Sequence, residues 1–221
     1  MKPVVLDSIP CSLDAEGLAD RLRVRSGGRH FEKLVGLIEE AQRLAKPKAL
    51  YRPVGYQIDG DRVAIDDVVL TSRLLVKNLQ SECQAYPFLA TCGTELDDWA
   101  GTRTGSLERF WVESIKESAL EIAVTGCIQH IDENHHPGSL SMMNPGSLQD
   151  WPLTEQAKVL AILEEPISVV GVRLTESSMM IPLKTVSGIL FPSREGFVNC
   201  QYCPREDCSS RRAQRLPDHR S

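Results

Sequence analysis

The chain has 221 residues, of which 42% are hydrophobic and 25% are charged. This composition is ordinary for one globular domain or two small ones, and it excludes a wholly disordered chain, a collagen and a coiled coil. The net charge of −5, from 25 basic and 30 acidic side chains, argues against bulk attraction to nucleic acid or to an anionic membrane.

In the amino-terminal half, short apolar runs alternate with segments whose apolar residues recur at helical spacing. In chain order we predict a strand over residues 3–8, helices over 13–23 and 31–45, extended segments over 50–58 and 62–65, a short helix over 72–79 and a strand over 85–91. Ser12 or Asp14 can cap the first helix, and Thr71 or Ser72 the short one. The turn Asp59-Gly60-Asp61 indicates a β-hairpin.

In the carboxy-terminal half, Ser106 opens the longest helical segment, which we predict to end near Ile128. In chain order there follow a long loop over residues 132–150, a helix that begins at Pro152 with Asp150 as its cap, and strands over 167–174 and 184–191. Helices and strands mix without a regular βαβ alternation, which favours an α+β fold over a doubly wound one.

Targeting signals and common catalytic motifs are missing from the sequence. No apolar run approaches the roughly 20 residues of a membrane-spanning helix, and the first apolar stretch is too short for a signal peptide. The patterns GxxxxGKS/T, GxGxxG, HExxH and GxSxG are absent, which leaves nucleotide hydrolysis and a Rossmann-type site without support. We predict a cytoplasmic protein that binds neither nucleic acid nor a membrane.

Three of the seven cysteines cluster near the carboxyl terminus as Cys200-x2-Cys203-x4-Cys208. Thiolates at this spacing can bind one tetrahedral zinc ion or an iron–sulfur cluster, but a closed site needs four ligands. His219, Cys92 or a second chain could supply the fourth ligand. The alternatives are ordinary reduced thiols or a reversible disulfide. An odd number of cysteines without an export signal disfavours a secreted disulfide framework.

Four motifs follow one another between residues 144 and 188. They are Asn144-Pro145-Gly146-Ser147, Gly171-Val172-Arg173-Leu174-Thr175-Glu176-Ser177, Met179-Met180-Ile181-Pro182 and Thr185-Val186-Ser187-Gly188. Their order and spacing resemble the activation domain of vitamin B12-dependent methionine synthase, and more closely its short stand-alone relatives. Ala90-Thr91-Cys92-Gly93, the long helix with Glu121 and the terminal cysteine pattern resemble the same relatives. The resemblance covers roughly residues 30–212.

The resemblance implies a fold, a ligand and a partner. The fold is α+β, a curved antiparallel sheet with surrounding helices. The ligand is S-adenosylmethionine, whose methyl group restores an oxidised corrinoid with one electron from a flavodoxin or ferredoxin. The corrinoid would sit on a partner methionine synthase or other cobalamin-binding methyltransferase. In this chain the segment Glu133-Asn134-His135-His136-Pro137-Gly138 resembles the Asp-x-His-x-x-Gly motif of corrinoid-binding domains but has Glu in place of Asp. The lack of a complete motif agrees with a corrinoid that is carried by a partner protein.

The resemblance also implies the ligand-binding residues. A carboxylate can hold the ammonium group of the ligand, and Glu121 is one of the positions carried over. The other carried-over positions are Asn144, Pro145, Gly146, Ser147, Glu176, Ser177, Ser187 and Gly188. The chain departs from the family pattern at Met142, where relatives have an Arg able to pair with the ligand carboxylate. It departs again at Ser147, where relatives have Tyr.

We therefore predict an accessory module for cobalamin-dependent methyl transfer, with three segments: residues 1–28, a core over 29–198 and a cysteine-containing basic tail over 199–221. The first alternative is an iron–sulfur protein that delivers an electron to a corrinoid and does not bind S-adenosylmethionine. The second is a zinc-stabilised interaction module. A lone activation domain need not catalyse a complete reaction, so the hypothesis does not itself make the chain an enzyme.

Overall fold

Strands and helices mix along the chain in the computed structural model, which describes residues 1–79, 84–164, 166–194, 196–203, 205, 207 and 213–215. The strands are β1 (Val4–Leu6), β2 (Lys48–Tyr51), β3 (Gln57–Asp59), β4 (Arg62–Ile65), β5 (Val68–Thr71), β6 (Tyr86–Thr91), β7 (Leu140–Met143), β8 (Arg173–Leu174), β9 (Met180–Ile181) and β10 (Thr185–Pro192). The helices are α1 (Ala15–Arg21), α2 (Arg29–Leu44), α3 (Arg73–Leu79), α4 (Thr94–Gly101), α5 (Ser106–His135), α6 (Gln156–Leu163) and α7 (Pro166–Val169). The predicted α+β class is confirmed.

The central sheet has five antiparallel strands in the order β1-β2-β6-β10-β7. All six residues of β6 are buried, as expected for a strand in the middle of a sheet with elements on both faces. A smaller sheet, β3-β4-β5, begins with the predicted hairpin, in which Asp59 pairs with Arg62. The two-residue strands β8 and β9 form a separate short hairpin.

The two faces of the central sheet pack against different elements. Leu190 of β10 joins a cluster with Ala123 and Cys127 of α5. The neighbouring residues Ile189 and Phe191 join a different cluster, which contains Trp151 and residues of α6 and the small sheet. Because side chains alternate along a strand, α5 covers one face, while α6 and the small sheet cover the other.

The amino-terminal helices form their own apolar cluster with the first half of α5. The buried face of α2 carries Leu34, Leu37, Ile38 and Ala41, as its helical spacing predicts. The predicted cap of α1 is confirmed for Asp14, whose carboxylate accepts a hydrogen bond from the Gly17 amide at 3.0 Å. Residues 1–28 thus provide β1, which pairs with β2, and α1, which packs against α2 and α5.

The predicted loop over residues 132–150 is wrong at its start. Helix α5 continues to His135, because Ile131 is completely buried in the cluster beneath the helix. The helix ends where His136 adopts a left-handed backbone with φ of 49°, a common helix terminus. Residues 140–143 then form β7 instead of loop. Of the two histidines in residues 133–138, His135 is the last residue of α5 and His136 follows the helix end.

The predicted strand over residues 167–174 is also wrong in its first part. Residues 166–169 form the short helix α7. Gly171 has a positive φ of 76°, so the backbone is not extended until β8 begins at Arg173. Val170 and Val172 are nevertheless buried. The apolar residues here belong to a buried connection. A short apolar run in the sequence is compatible with either a buried strand or such a connection.

None of the helices in the described part of the chain is both long and apolar enough to cross a membrane.

Candidate functional site

The turn that follows β7 contacts β10 closely. The Asn144 side chain donates a hydrogen bond from Nδ2 to the Ser187 carbonyl at 2.9 Å, and its Oδ1 accepts one from Asn199 at 3.1 Å. A Cβ at Gly188 would lie 2.2 Å from the Met143 carbonyl oxygen and 2.7 Å from Asn144 Nδ2. Glycine is therefore required at residue 188 for β7 to approach β10.

Gly146 gives this turn its direction. Its φ of 81° lies in the left-handed region, which glycine adopts without steric cost. The Gly146 amide donates to the Trp151 carbonyl at 2.8 Å, and the Ser147 amide to the Asn144 carbonyl at 3.2 Å. Trp151 is completely buried, so the segment from Asn144 to Trp151, which contains Pro145, is fixed from both sides.

Asp150 fixes the same segment to helix α3. Its carboxylate accepts hydrogen bonds from the Ser72 hydroxyl and from the Leu74 amide, the latter at 3.0 Å. Ser72 in turn accepts from the Leu75 amide at 3.0 Å. The prediction that Asp150 caps the helix after Pro152 is wrong, because the 3-10 turn there has no side-chain cap. A carboxylate can accept several hydrogen bonds, and the Asp150 carboxylate accepts them from the first residues of α3.

The remaining predicted residues on this side differ in exposure. Glu176 and Ser177 are exposed in the turn of the β8–β9 hairpin, where the Ser177 and Thr175 hydroxyls lie 3.0 Å apart. Ser187 is 2% exposed, and its hydroxyl has no hydrogen-bond partner among the described residues. Buried polar groups usually have a hydrogen-bond partner, so the Ser187 hydroxyl is an exception among the described residues.

Glu121 lies elsewhere. It projects from α5 toward α1, where its Oε2 is 3.4 Å from Arg21 Nη2. The cavity at this place, of about 520 Å³, is also lined by Ile9 and Pro10, which follow edge strand β1. The Asn144 turn follows β7, which is the opposite edge strand of the five-stranded sheet, and it does not line this cavity. The structure therefore separates Glu121 from the other predicted residues.

A second polar cluster surrounds the last turn of α5. The buried Tyr51 hydroxyl lies 3.0 Å from His130 Nδ1 and 3.3 Å from His135 Nε2. Burial raises the pKa of Tyr51 to about 12. Burial lowers the pKa of His135, and the neighbouring His130 and His136 lower it further. This arrangement favours a neutral Tyr51 and a neutral His135. The Tyr51 hydroxyl lies within hydrogen-bond distance of both imidazoles.

The cysteine prediction is only partly covered by the structure. Cys200 and Cys203 are half-buried, and Cys203 packs against the cluster that contains Phe197, while Cys208 lies outside the described residues. Cys92 is buried in the cluster on the other face of the sheet, so it does not join them. In the ranges given above, no three His, Cys, Asp or Glu side chains are arranged to hold a metal ion.

Comparison with known proteins gives a match among solved structures. No protein-family model and no curated protein matches the chain. Among solved structures, the chain is similar to the crystal structure of the MetH reactivation domain bound to AdoHcy. The TM-score is 0.66, the sequence identity is 15%, and the match covers 90% of this chain and 80% of that chain. At this identity the likeness shows the fold, and it confirms the fold that the motifs predicted.

Proposed function

We propose that this chain is an accessory module for cobalamin-dependent methyl transfer. It binds S-adenosylmethionine and presents the ligand's methyl group to an oxidised corrinoid on a partner methionine synthase or related methyltransferase. The observation that carries the proposal is the fold likeness to the MetH reactivation domain, a protein whose crystal structure contains AdoHcy. The ordered motifs between residues 144 and 188 support it independently.

The residues present fit a zwitterionic, sulfur-containing nucleoside. Glu121 offers a carboxylate to an ammonium group beside a cavity of about 520 Å³, which lies in the usual size range of ligand sites. On the other side of the sheet, the Ser187 hydroxyl has no hydrogen-bond partner among the described residues, so the Asn144 turn beside it is an alternative place for the ligand. That alternative set comprises Asn144, Pro145, Gly146, Ser147, Glu176, Ser177, Ser187 and Gly188.

When bound, S-adenosylmethionine supplies an activated methyl group, and an electron donor of the flavodoxin or ferredoxin class supplies the one electron needed at the partner's corrinoid. This chain's own residues would bind and orient the ligand with its methyl group exposed. Carboxylates suit this task because they hold the ammonium group by charge-assisted hydrogen bonds.

Calorimetry tests the proposal directly. Anaerobically purified protein is titrated with S-adenosylmethionine and, separately, with S-adenosylhomocysteine, after its visible spectrum has been recorded. Micromolar binding of either ligand is the expected result. No binding at millimolar ligand would refute the proposal. An iron–sulfur absorption band would then favour the electron-delivery alternative, and colourless protein that contains zinc would favour the interaction module.

A further inference from the structure

Three donor atoms meet where the end of α5 packs against the central sheet. The hydroxyl of Tyr51, the last residue of β2, lies 3.0 Å from His130 Nδ1 and 3.3 Å from His135 Nε2. Tyr51 is completely buried, while both histidines are half-buried. The oxygen is therefore fixed in the interior, whereas each imidazole is partly open to solvent.

The distances between these atoms suit a tetrahedral metal site. Zinc bonds to nitrogen and oxygen ligands are about 2.0 Å long, so two ligand atoms of one tetrahedral ion lie about 3.3 Å apart. The distances from the Tyr51 oxygen to the two ring nitrogens, 3.0 and 3.3 Å, are close to this value. Each imidazole nitrogen is thus already at ligand-to-ligand distance from the tyrosine oxygen.

Aromatic packing holds the two imidazoles in place. The Tyr51 ring centroid lies 5.7 Å from that of His130 and 5.8 Å from that of His135, and the Tyr86 ring lies 5.5 Å from His135. Asn134 Nδ2 is 3.4 Å from His130 Nδ1, but it donates to the His130 carbonyl at 2.8 Å. Asn134 therefore does not need the ring nitrogen as an acceptor. Ligands that are held in place lose little conformational freedom on binding.

The protonation of the cluster also suits a metal ion. Metal ions bind the neutral form of imidazole, and the lowered pKa of His135 keeps that ring neutral at neutral pH. A tyrosine hydroxyl has one proton, so Tyr51 can donate a hydrogen bond to only one of the two ring nitrogens. The other nitrogen must donate its own proton to the hydroxyl. One dication can replace the protons that lie between these three atoms.

We infer that His130 Nδ1, His135 Nε2 and the Tyr51 oxygen bind one zinc ion, with water as the fourth ligand. Binding releases the Tyr51 hydroxyl proton to solvent, and a proton on either ligating nitrogen moves to the other nitrogen of that ring. The third donor is a tyrosine, which agrees with the finding that no three His, Cys, Asp or Glu side chains in the described ranges are arranged for a metal ion. None of these residues belongs to the proposed S-adenosylmethionine set, so the zinc site does not depend on the proposed function.

Calorimetry with zinc alone tests the site on the full chain after its metal has been removed with a chelator. Because the carboxy-terminal cysteines can also bind zinc, the titration uses the combined variant Cys200→Ser, Cys203→Ser and Cys208→Ser. We expect this variant to bind one zinc ion per chain and to show a tyrosinate signal in its ultraviolet difference spectrum. If it binds no zinc, the inference is wrong. If the combined variant does not fold, the unmodified chain serves as the background, and the substitutions at Tyr51 and His135 should remove one bound zinc ion.

Two matched pairs of variants locate the ion. Tyr51→Phe keeps the ring and removes the oxygen, so it should weaken zinc binding by about tenfold or more and abolish the tyrosinate signal. Tyr86→Phe should change neither, because the Tyr86 hydroxyl donates to Gln84 at 2.9 Å. Likewise, His135→Gln should weaken zinc binding by about tenfold or more, whereas His136→Gln should not.

Thermal unfolding shows whether each variant is folded, and zinc should raise the Tm of the unmodified chain more than that of Tyr51→Phe. Unchanged zinc affinity in either Tyr51→Phe or His135→Gln would overturn the assignment of the ligands. An equal loss of affinity in Tyr86→Phe or His136→Gln would also overturn it, because the ion would then not be held by the three named atoms.

Discussion

Gly188→Ala tests whether a predicted ligand residue is held in place by packing. The new Cβ would lie 2.2 Å from the Met143 carbonyl oxygen and 2.7 Å from Asn144 Nδ2. Both distances are far inside contact, and the first involves backbone, so β7 must move away from β10. Overpacking of this kind costs about 1–3 kcal/mol, and the strained hydrogen bond from Asn144 to Ser187 adds about 1 kcal/mol.

We therefore expect the free energy of unfolding to fall by about 2–4 kcal/mol. A loss of about 3 kcal/mol corresponds to a decrease of about 6–12 °C in Tm for a chain of this size. Urea denaturation, followed by circular dichroism, measures the change. The matched control is Gly36→Ala in α2, where a Cβ meets nothing within 4 Å. Removing a helical glycine there should stabilise the protein by about 0.5–1 kcal/mol.

The difference in the free energy of unfolding between Gly188→Ala and Gly36→Ala decides whether the packing argument holds. If Gly188→Ala is as stable as Gly36→Ala, β7 is not packed against residue 188 as described. In that case the absence of a side chain at residue 188 would need another explanation, such as close approach of a ligand.

Three further predictions concern other parts of the fold. Because the pKa of His135 is lowered beside His130 and Tyr51, the unfolded chain binds more protons below the ordinary histidine value of about 6.5. The free energy of unfolding should therefore decrease as pH falls below that value, and urea midpoints of His135→Gln should depend less on pH. Asp150→Ala removes the partner of Ser72 and the Leu74 amide and should cost about 1–3 kcal/mol by urea denaturation. The exposed Asp98→Ala should cost less than about 0.5 kcal/mol. Burial raises the pKa of Cys92 and Cys127 to about 12, so iodoacetamide at pH 8 should label the half-buried Cys203 before either of them, as measured by mass spectrometry. Early labelling of Cys92 would contradict its burial.

Local patterns predicted the elements whose formation depends on local contacts. The spacing of Leu34, Leu37 and Ile38 identified α2, because one face of that helix is buried and the other is exposed. The Asp-Gly turn identified the hairpin, because its backbone requirement is met within the turn itself. Asp14 was identified as a possible cap for the same reason.

Contacts between distant residues were not predictable in the same way. The polar last turns of α5 look like loop, and only burial of Ile131 against the sheet keeps them helical. The partner of Asp150 is a helix start 78 positions earlier. Arg21 gave no signal in the sequence, because its position opposite Glu121 depends on the packing of two helices. The motif resemblance supplied the fold, and it could not show that Glu121 lies apart from the Asn144 turn.

The strand order has a consequence for synthesis on the ribosome. Strand β10 ends at Pro192, yet it lies between β6 and β7 and is the only strand paired with β7 in the described sheet. Until that segment emerges, the apolar strand β6 has one open edge and β7 has no partner. Open apolar edges are sites of aggregation in growing chains. The nascent chain therefore depends on its last strand to close the sheet, and chains truncated before residue 185 should require chaperones to stay in solution.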